Sequence, residues 1–143
     1  MLIPIPEHGI CMVCGPSNPH GMGLTWLDAG DGRILAEFTL DEKFQGPRAH
    51  VHGGASAAIL DEGIGVAIWR AGYNVAVVHL SVTYRKALPL GVPLRLEARM
   101  THKEGRKIYG QGAIYLPDGE TAVQAEGIYV EAPHLFEENR YRE

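Results

Sequence analysis

Only two of the 143 residues are cysteine, too few for a disulfide framework. Basic charge is also scarce: 13 Lys and Arg against 17 Asp and Glu give a net charge of -4. That balance exerts no general pull toward nucleic acid or an anionic membrane, and an anionic ligand would need a local basic patch. No apolar run approaches the roughly 20 residues of a membrane span. The opening MLIPIPEHGI is apolar but holds two prolines. It has neither a basic n-region nor a long h-region, so a secretory signal is not expected. Internal repeats, low-complexity segments and a phosphate-binding loop of the P-loop kind are absent. With 45% hydrophobic and 21% charged residues, the chain reads as an ordinary cytoplasmic globular protein. Its length suits one domain over residues 1–143, burying about two-thirds of the unfolded surface.

The two cysteines form one C-x-x-C, Cys11 and Cys14, followed by Gly15. Reduced packing thiols are the first reading. A zinc site needs two more ligands, which His8, His20, His50 or His52 could supply, although their spacing does not favour it. A redox pair normally opens a helix, whereas Gly15, Pro16, Asn18 and Pro19 are loop residues.

Residues 1–21 read as an arm rich in turn residues. Two strand-like runs, 22–27 and 33–40, form a hairpin; Ile34, Ala36, Phe38 and Leu40 alternate with Leu35, Glu37 and Thr39. Residues 41–52 are a loop. From Gly54 to about Arg70 the chain lacks proline and is rich in alanine, which predicts a helix. Strands follow at 75–88, 94–103, 106–116 and 121–130, with short turn-like connections at 89–91, 104–105 and 117–120 that imply an antiparallel meander. The charged end 137–143 is expected to be solvated. One long helix and about six strands make an α+β layout in which the sheet curls its apolar face around the helix.

The helix fits that role, since between Ala55 and Trp69 only Ser56, Asp61 and Glu62 are polar. Gly63 and Gly65 each cost about 1 kcal/mol against alanine there, and close approach of neighbouring backbone is the expected return. At 100° per residue the three polar side chains point in three directions. A carboxylate in a restricted place is costly unless paired, and desolvation raises its pKa toward that of a general base. The alternative is that Asp61 and Glu62 both sit on a solvent-exposed helix edge.

His52, Gly53 and Gly54 precede this acid pair at the helix start, where free N–H groups and the positive end of the dipole can polarise a carbonyl. Two glycines also simply make turns. Asp61 lies eight residues beyond Gly53, about 12 Å along the axis and about 80° around it. If both act on one carbonyl, they must come from different subunits.

In this element order, HVHGGASAAILDE at 50–62 and HLSVTYRKAL at 79–88 closely resemble the hotdog-fold acyl-CoA thioesterases of the PaaI-like group. CMVCGPSNPHGMGL at 11–24 is similar to one branch of it, and the resemblance spans roughly residues 10–131. It implies a curled antiparallel sheet around one long central helix. It also implies hydrolysis of an acyl-CoA thioester at a homodimer interface, often within a dimer of dimers, without metal or organic cofactor. The family's helix acid falls on Asp61, as nucleophile or general base; its carbonyl-polarising N–H on Gly53; and its loop histidine on His52, which orients the loop or the thioester. Gly54 keeps the backbone accessible. Many relatives carry Asn or Gln where this chain has Gly46, and the adjacent Gln45 is the expected substitute. A hydroxyl residue used by some members would fall near Val77, with Ser81 and Thr83 downstream. Arg85 with Lys86, and Arg106 with Lys107, are candidate clamps for the phosphates of coenzyme A, or else ordinary strand-end charges. A non-catalytic acyl-CoA binding module would lack a competent acid. An enoyl-CoA hydratase of one hotdog type would need D-x-x-x-x-H, but the fifth residue after Asp41 is Gly46.

Overall fold

In the computed structural model, residues 2–5 and 9–136 are described. The charged end expected to be solvated and the candidate ligand His8 lie outside them. Helix α1 (Gly53–Arg70) starts one residue earlier than the sequence predicts. The His52 ring caps it by accepting a hydrogen bond from the Gly54 N–H at 2.8 Å, one of the donors that a helix start leaves unpaired. At the other end the Ala71 N–H donates to Ala67 and Ile68, and Gly72 turns the chain away at φ 108°, a conformation suited to glycine.

Around the helix runs one antiparallel sheet, in the order β1 (Ile3–Pro4), β2 (Leu27–Asp28), β3 (Arg33–Phe38), β5 (Leu94–Glu104), β6 (Lys107–Tyr115), β7 (Thr121–Glu131), β4 (Val75–Tyr84). The seven strands among the described residues include two of only two residues. The inner face alternates as a half-buried sheet should. Leu94, Leu96 and Ala98 of β5, Ile108 and Ile114 of β6, and Val123, Ala125 and Tyr129 of β7 are buried. They close on Ile59, Leu60, Ile64 and Ile68 of α1, each fully buried, and each contributing about 1.5–3 kcal/mol by leaving water.

Several sequence expectations need correction. The hairpin forms, but its first strand is only Leu27–Asp28. Residues 22–24 pair instead with the preceding segment, Met22 N–H donating to Met12 and Leu24 N–H to Val13. The second strand stops at Phe38. β5, β6 and β7 make the expected meander, but 89–91 does not join neighbouring strands. β4 pairs with β7 at the far edge, and the chain then crosses to β5 beside β3. β4 ends at Tyr84, four residues short of the expected end. Beyond it, Leu88 and its neighbours bond to the 40–51 loop: Val51 N–H donates to Leu88, Leu90 N–H to Ala49, and Gly91 N–H to Leu40. Leu88 is apolar because it enters the core there.

The helix glycines also behave differently from expectation. A Cβ on Gly63 would meet the Leu96 side chain at 3.0 Å, not backbone, and one on Gly65 would meet nothing within 4 Å. The tight approach is on the sheet, where a Cβ at Gly110 would lie 2.4 Å from Ile64 Cγ2 and 3.1 Å from the Arg99 carbonyl. Gly110→Ala is therefore expected to lower the unfolding free energy by about 1–3 kcal/mol through overpacking. Gly65→Ala is expected to raise it by about 0.5–1 kcal/mol. Urea unfolding of both variants checks this, and equal effects of one sign would show that the helix–sheet contact is misjudged.

Candidate active site

The two adjacent acids have different surroundings. Asp61 is half-buried, and the Tyr129 hydroxyl of β7 donates to its Oδ1 at 2.9 Å while lying 3.1 Å from its backbone carbonyl oxygen. Asp61 Oδ2 makes no hydrogen bond to a described residue. Burial holds the Asp61 carboxyl above the usual range, the Tyr129 bond pulls it down, and the Glu62 charge pushes it up. Burial, then the Asp61 charge, raises the Tyr129 phenol far above its usual value, so it stays a donor at neutral pH. Glu62, 100° further round, faces the Cys14 thiol, with Sγ 3.4 Å from Oε1. Neither acid is on a freely exposed helix edge.

Sequence reasoning missed Tyr129, although a signal exists. Gly127 stands two residues earlier on the same strand face, and a Cβ there would lie 2.5 Å from the Tyr129 ring. A glycine beside an aromatic on an inner face marks room made for the ring.

At the helix start, the Gly53 carbonyl accepts from the Tyr84 hydroxyl at 2.6 Å. The Gly53 N–H donates to no other described residue. The Nδ1 of His52 is committed to the Gly54 N–H, so the ring braces the loop that carries it. The Oε1 of Gln45 is committed elsewhere than His52: it accepts from the Ala49 N–H at 3.0 Å and supports the turn in which Ala49 holds φ 66°. Gly46 packs so closely on His52 that a Cβ would lie 2.7 Å from the His52 Cα. A larger residue would displace the histidine.

Arg85 and Lys86 follow β4 at the end near Gly53. Arg85 Nε donates to Gln124 Oε1 at 3.2 Å, and Lys86 is ion-paired with Glu120. Arg106 and Lys107 lie at the opposite end, since Lys107 pairs with Val130 whereas Tyr84 pairs with Val123. Seven residues of β7 separate those rungs, about 24 Å at ~3.4 Å per residue, so one protomer cannot bring both pairs to one phosphate. Val77 sits at a bulge on the exposed edge. Ser81 and Thr83 alternate with Leu80 and Val82, which pack on the core, so their side chains lie on the face away from α1.

Residues 49–123 match the family model described as Thioesterase superfamily. The chain belongs to the thioesterase superfamily. It is 30% identical over 118 residues to the acyl-coenzyme A thioesterase THEM4 of Rattus norvegicus, covering 80% of this chain and 51% of that one. It thus spans about half the length of the curated relatives it matches. A solved thioesterase superfamily protein is 37% identical with a TM-score of 0.81, over 84% of this chain and 62% of the other. A Streptococcus mutans protein solved with bound acetyl CoA is 16% identical, with a TM-score of 0.71 over 76% of this chain and 88% of its own, a likeness of fold. Within this superfamily the architecture is the hotdog fold, one helix wrapped by a curled antiparallel sheet.

The Tyr129 to Asp61 bond has a measurable energy. Tyr129→Phe keeps the ring and removes the donor, so it is expected to cost about 1–2 kcal/mol of stability, the scale of a hydrogen bond to a charged acceptor. Combined with Asp61→Ala in a double-mutant cycle, the coupling is expected to be about 1 kcal/mol. Strictly additive effects would mean that the bond does not form.

Proposed function

We propose that the chain hydrolyses an acyl-CoA thioester to free acid and CoA at a site shared by two copies. The observation that carries this reading is the Asp61 carboxylate, half-buried and held through Oδ1 by Tyr129, with Oδ2 outside that bond. The relatives named acyl-coenzyme A thioesterase support the substrate class. In the reaction, Asp61 Oδ2 either adds to the thioester carbonyl and expels CoA thiolate, leaving an anhydride for water to open, or takes a proton from the water that adds there. Negative charge developing on the carbonyl oxygen is met by the Gly53 N–H at the positive end of α1.

One helix separates Gly53 from Asp61 by about 12 Å along its axis, so the carbonyl meets Asp61 of one copy and Gly53 of the other. The ten-residue edge strand β4, with Val77 and Val78 exposed, supports pairing with a second copy. His52 holds the loop, Gly54 leaves the backbone open, and Arg85 and Lys86 lie at the Gly53 end for the phosphates of CoA.

Two substitutions test this on a panel of short, medium, long and aromatic acyl-CoAs. Asp61→Ala is expected to lower kcat by roughly 10²- to 10⁴-fold. Gly53→Pro removes only the N–H, because proline suits the first helical position. His52 already holds φ -60° and ψ 136°, and a Cβ at 53 would meet the Tyr84 ring at an ordinary 3.5 Å. Its kcat is expected to fall by roughly 10²- to 10³-fold, with the circular dichroism spectrum unchanged. Wild-type rates in folded Asp61→Ala would remove Asp61 from the chemistry. Tight binding without turnover by the wild type would instead identify an acyl-CoA binding module.

A further inference from the structure

The C-x-x-C turn and Glu62 have no part in that hydrolysis, yet the fold brings them to one point. The two sulfurs and a carboxylate oxygen of Cys11, Cys14 and Glu62 all lie within 4.8 Å of one another. None of the histidines within the described residues joins them; the third member is the helix acid that sequence reading leaves without a role. We propose that Cys11, Cys14 and Glu62 bind a divalent metal ion of the zinc class, through two thiolates and one carboxylate oxygen.

The geometry fits such an ion. With Zn–S near 2.3 Å and Zn–O near 2.1 Å, a tetrahedral S–Zn–O edge is about 3.6 Å; Cys14 Sγ lies 3.4 Å from Glu62 Oε1. The turn that presents the thiols is closed tightly. Gly15 N–H donates to the Cys11 carbonyl at 2.9 Å, and a Cβ on Gly15 would lie 2.2 Å from the Cys11 nitrogen. Residues 12 and 13 are in turn fastened by the N–H groups of Met22 and Leu24.

A second observation points to the same place. Trp26 is 3% exposed, and its indole N–H has no hydrogen-bond partner among the described residues. That N–H lies beside the Cys14 sulfur; burial, helped by the Glu62 charge, raises the Cys14 thiol well above its usual value, and the indole pulls it only partly back. A buried N–H facing a sulfur is met weakly by a neutral thiol and strongly by a metal-bound thiolate. Cys14 is buried while Cys11 and Glu62 are half-exposed, which leaves an entry path. The S₂O donor set selects zinc-like ions over magnesium or calcium. Binding releases the two thiol protons to solvent, and three protein ligands leave a fourth position for water. This departs from the sequence expectation of packing thiols and no metal. The ion would tie residues 11–14 to α1 beside Asp61 without touching the Tyr129 bond.

Reduced protein, stripped of metal and titrated with Co(II) and then Zn(II) against a chromophoric chelator, tests the site independently of thioester hydrolysis. We expect about one ion per chain and a thiolate-to-cobalt absorption band in the near ultraviolet. The band should be weakened in Cys11→Ser, whose half-exposed position keeps the fold, and absent in Cys14→Ser. Glu62→Gln and Trp26→Phe should each lower affinity by roughly 10- to 100-fold, the scale of losing a ligand or an outer-shell partner. No band with the folded wild type, equal affinity in wild type and Cys11→Ser, or metal-free isolation with a Cys11–Cys14 disulfide would each overturn the proposal.

Discussion

The rest of the structure depends on burial of an almost wholly apolar helix inside a curled sheet. Ile59, Leu60, Ile64 and Ile68 are each removed from water against β5, β6 and β7. Glycines at 110 and 112 let the sheet approach the helix within van der Waals contact. At such packing density α1 cannot rotate or slide without opening voids or clashes. The directions of its few polar side chains are therefore fixed by apolar packing. Asp61 and Glu62, adjacent in sequence, are held toward different partners, Tyr129 on β7 and Cys14 on the arm.

How much of this was legible in the sequence follows from the range of the interactions. The helix was readable to within one residue, because its start and its apolar circumference are local properties. The turns around Gly105 and Gly119 were readable for the same reason. The position of β4 was not. Its pairing with β7 depends on contacts across the whole sheet, and its apolar continuation through Leu88 looks like more strand but serves a loop. The site divides in the same way. Asp61, Gly53 and His52 stood out from their local pattern and the resemblance it carries. Tyr129 lies 68 residues from Asp61, and Cys14 lies 48 from Glu62. No periodicity links positions so far apart.

The loop before the helix shows how the fold serves the site. Residues 40–51 have little regular structure, yet backbone bonds from 88–91, the Gln45 amide and the close packing of Gly46 on His52 hold them. That bracing sets the His52 cap, and the cap sets the first turn of α1, where the Gly53 N–H donates to no other described residue. The same helix carries Asp61 two turns on. A rigid element thus presents a donor and a carboxylate too far apart to meet on one carbonyl. In the proposed dimer, two copies related by a two-fold axis would remove the conflict, each completing the other's site.

The shared site is the central claim, and subunit complementation tests it most directly. Asp61→Ala and Gly53→Pro chains, each inactive alone, are unfolded together and refolded as a mixture, and acyl-CoA hydrolysis is measured. A mixed dimer holds one site with both substitutions and one with neither, so the mixture should recover about a quarter of wild-type activity if pairing is random. A mixture of confirmed mixed dimers that stays as inactive as the separate variants would contradict the account.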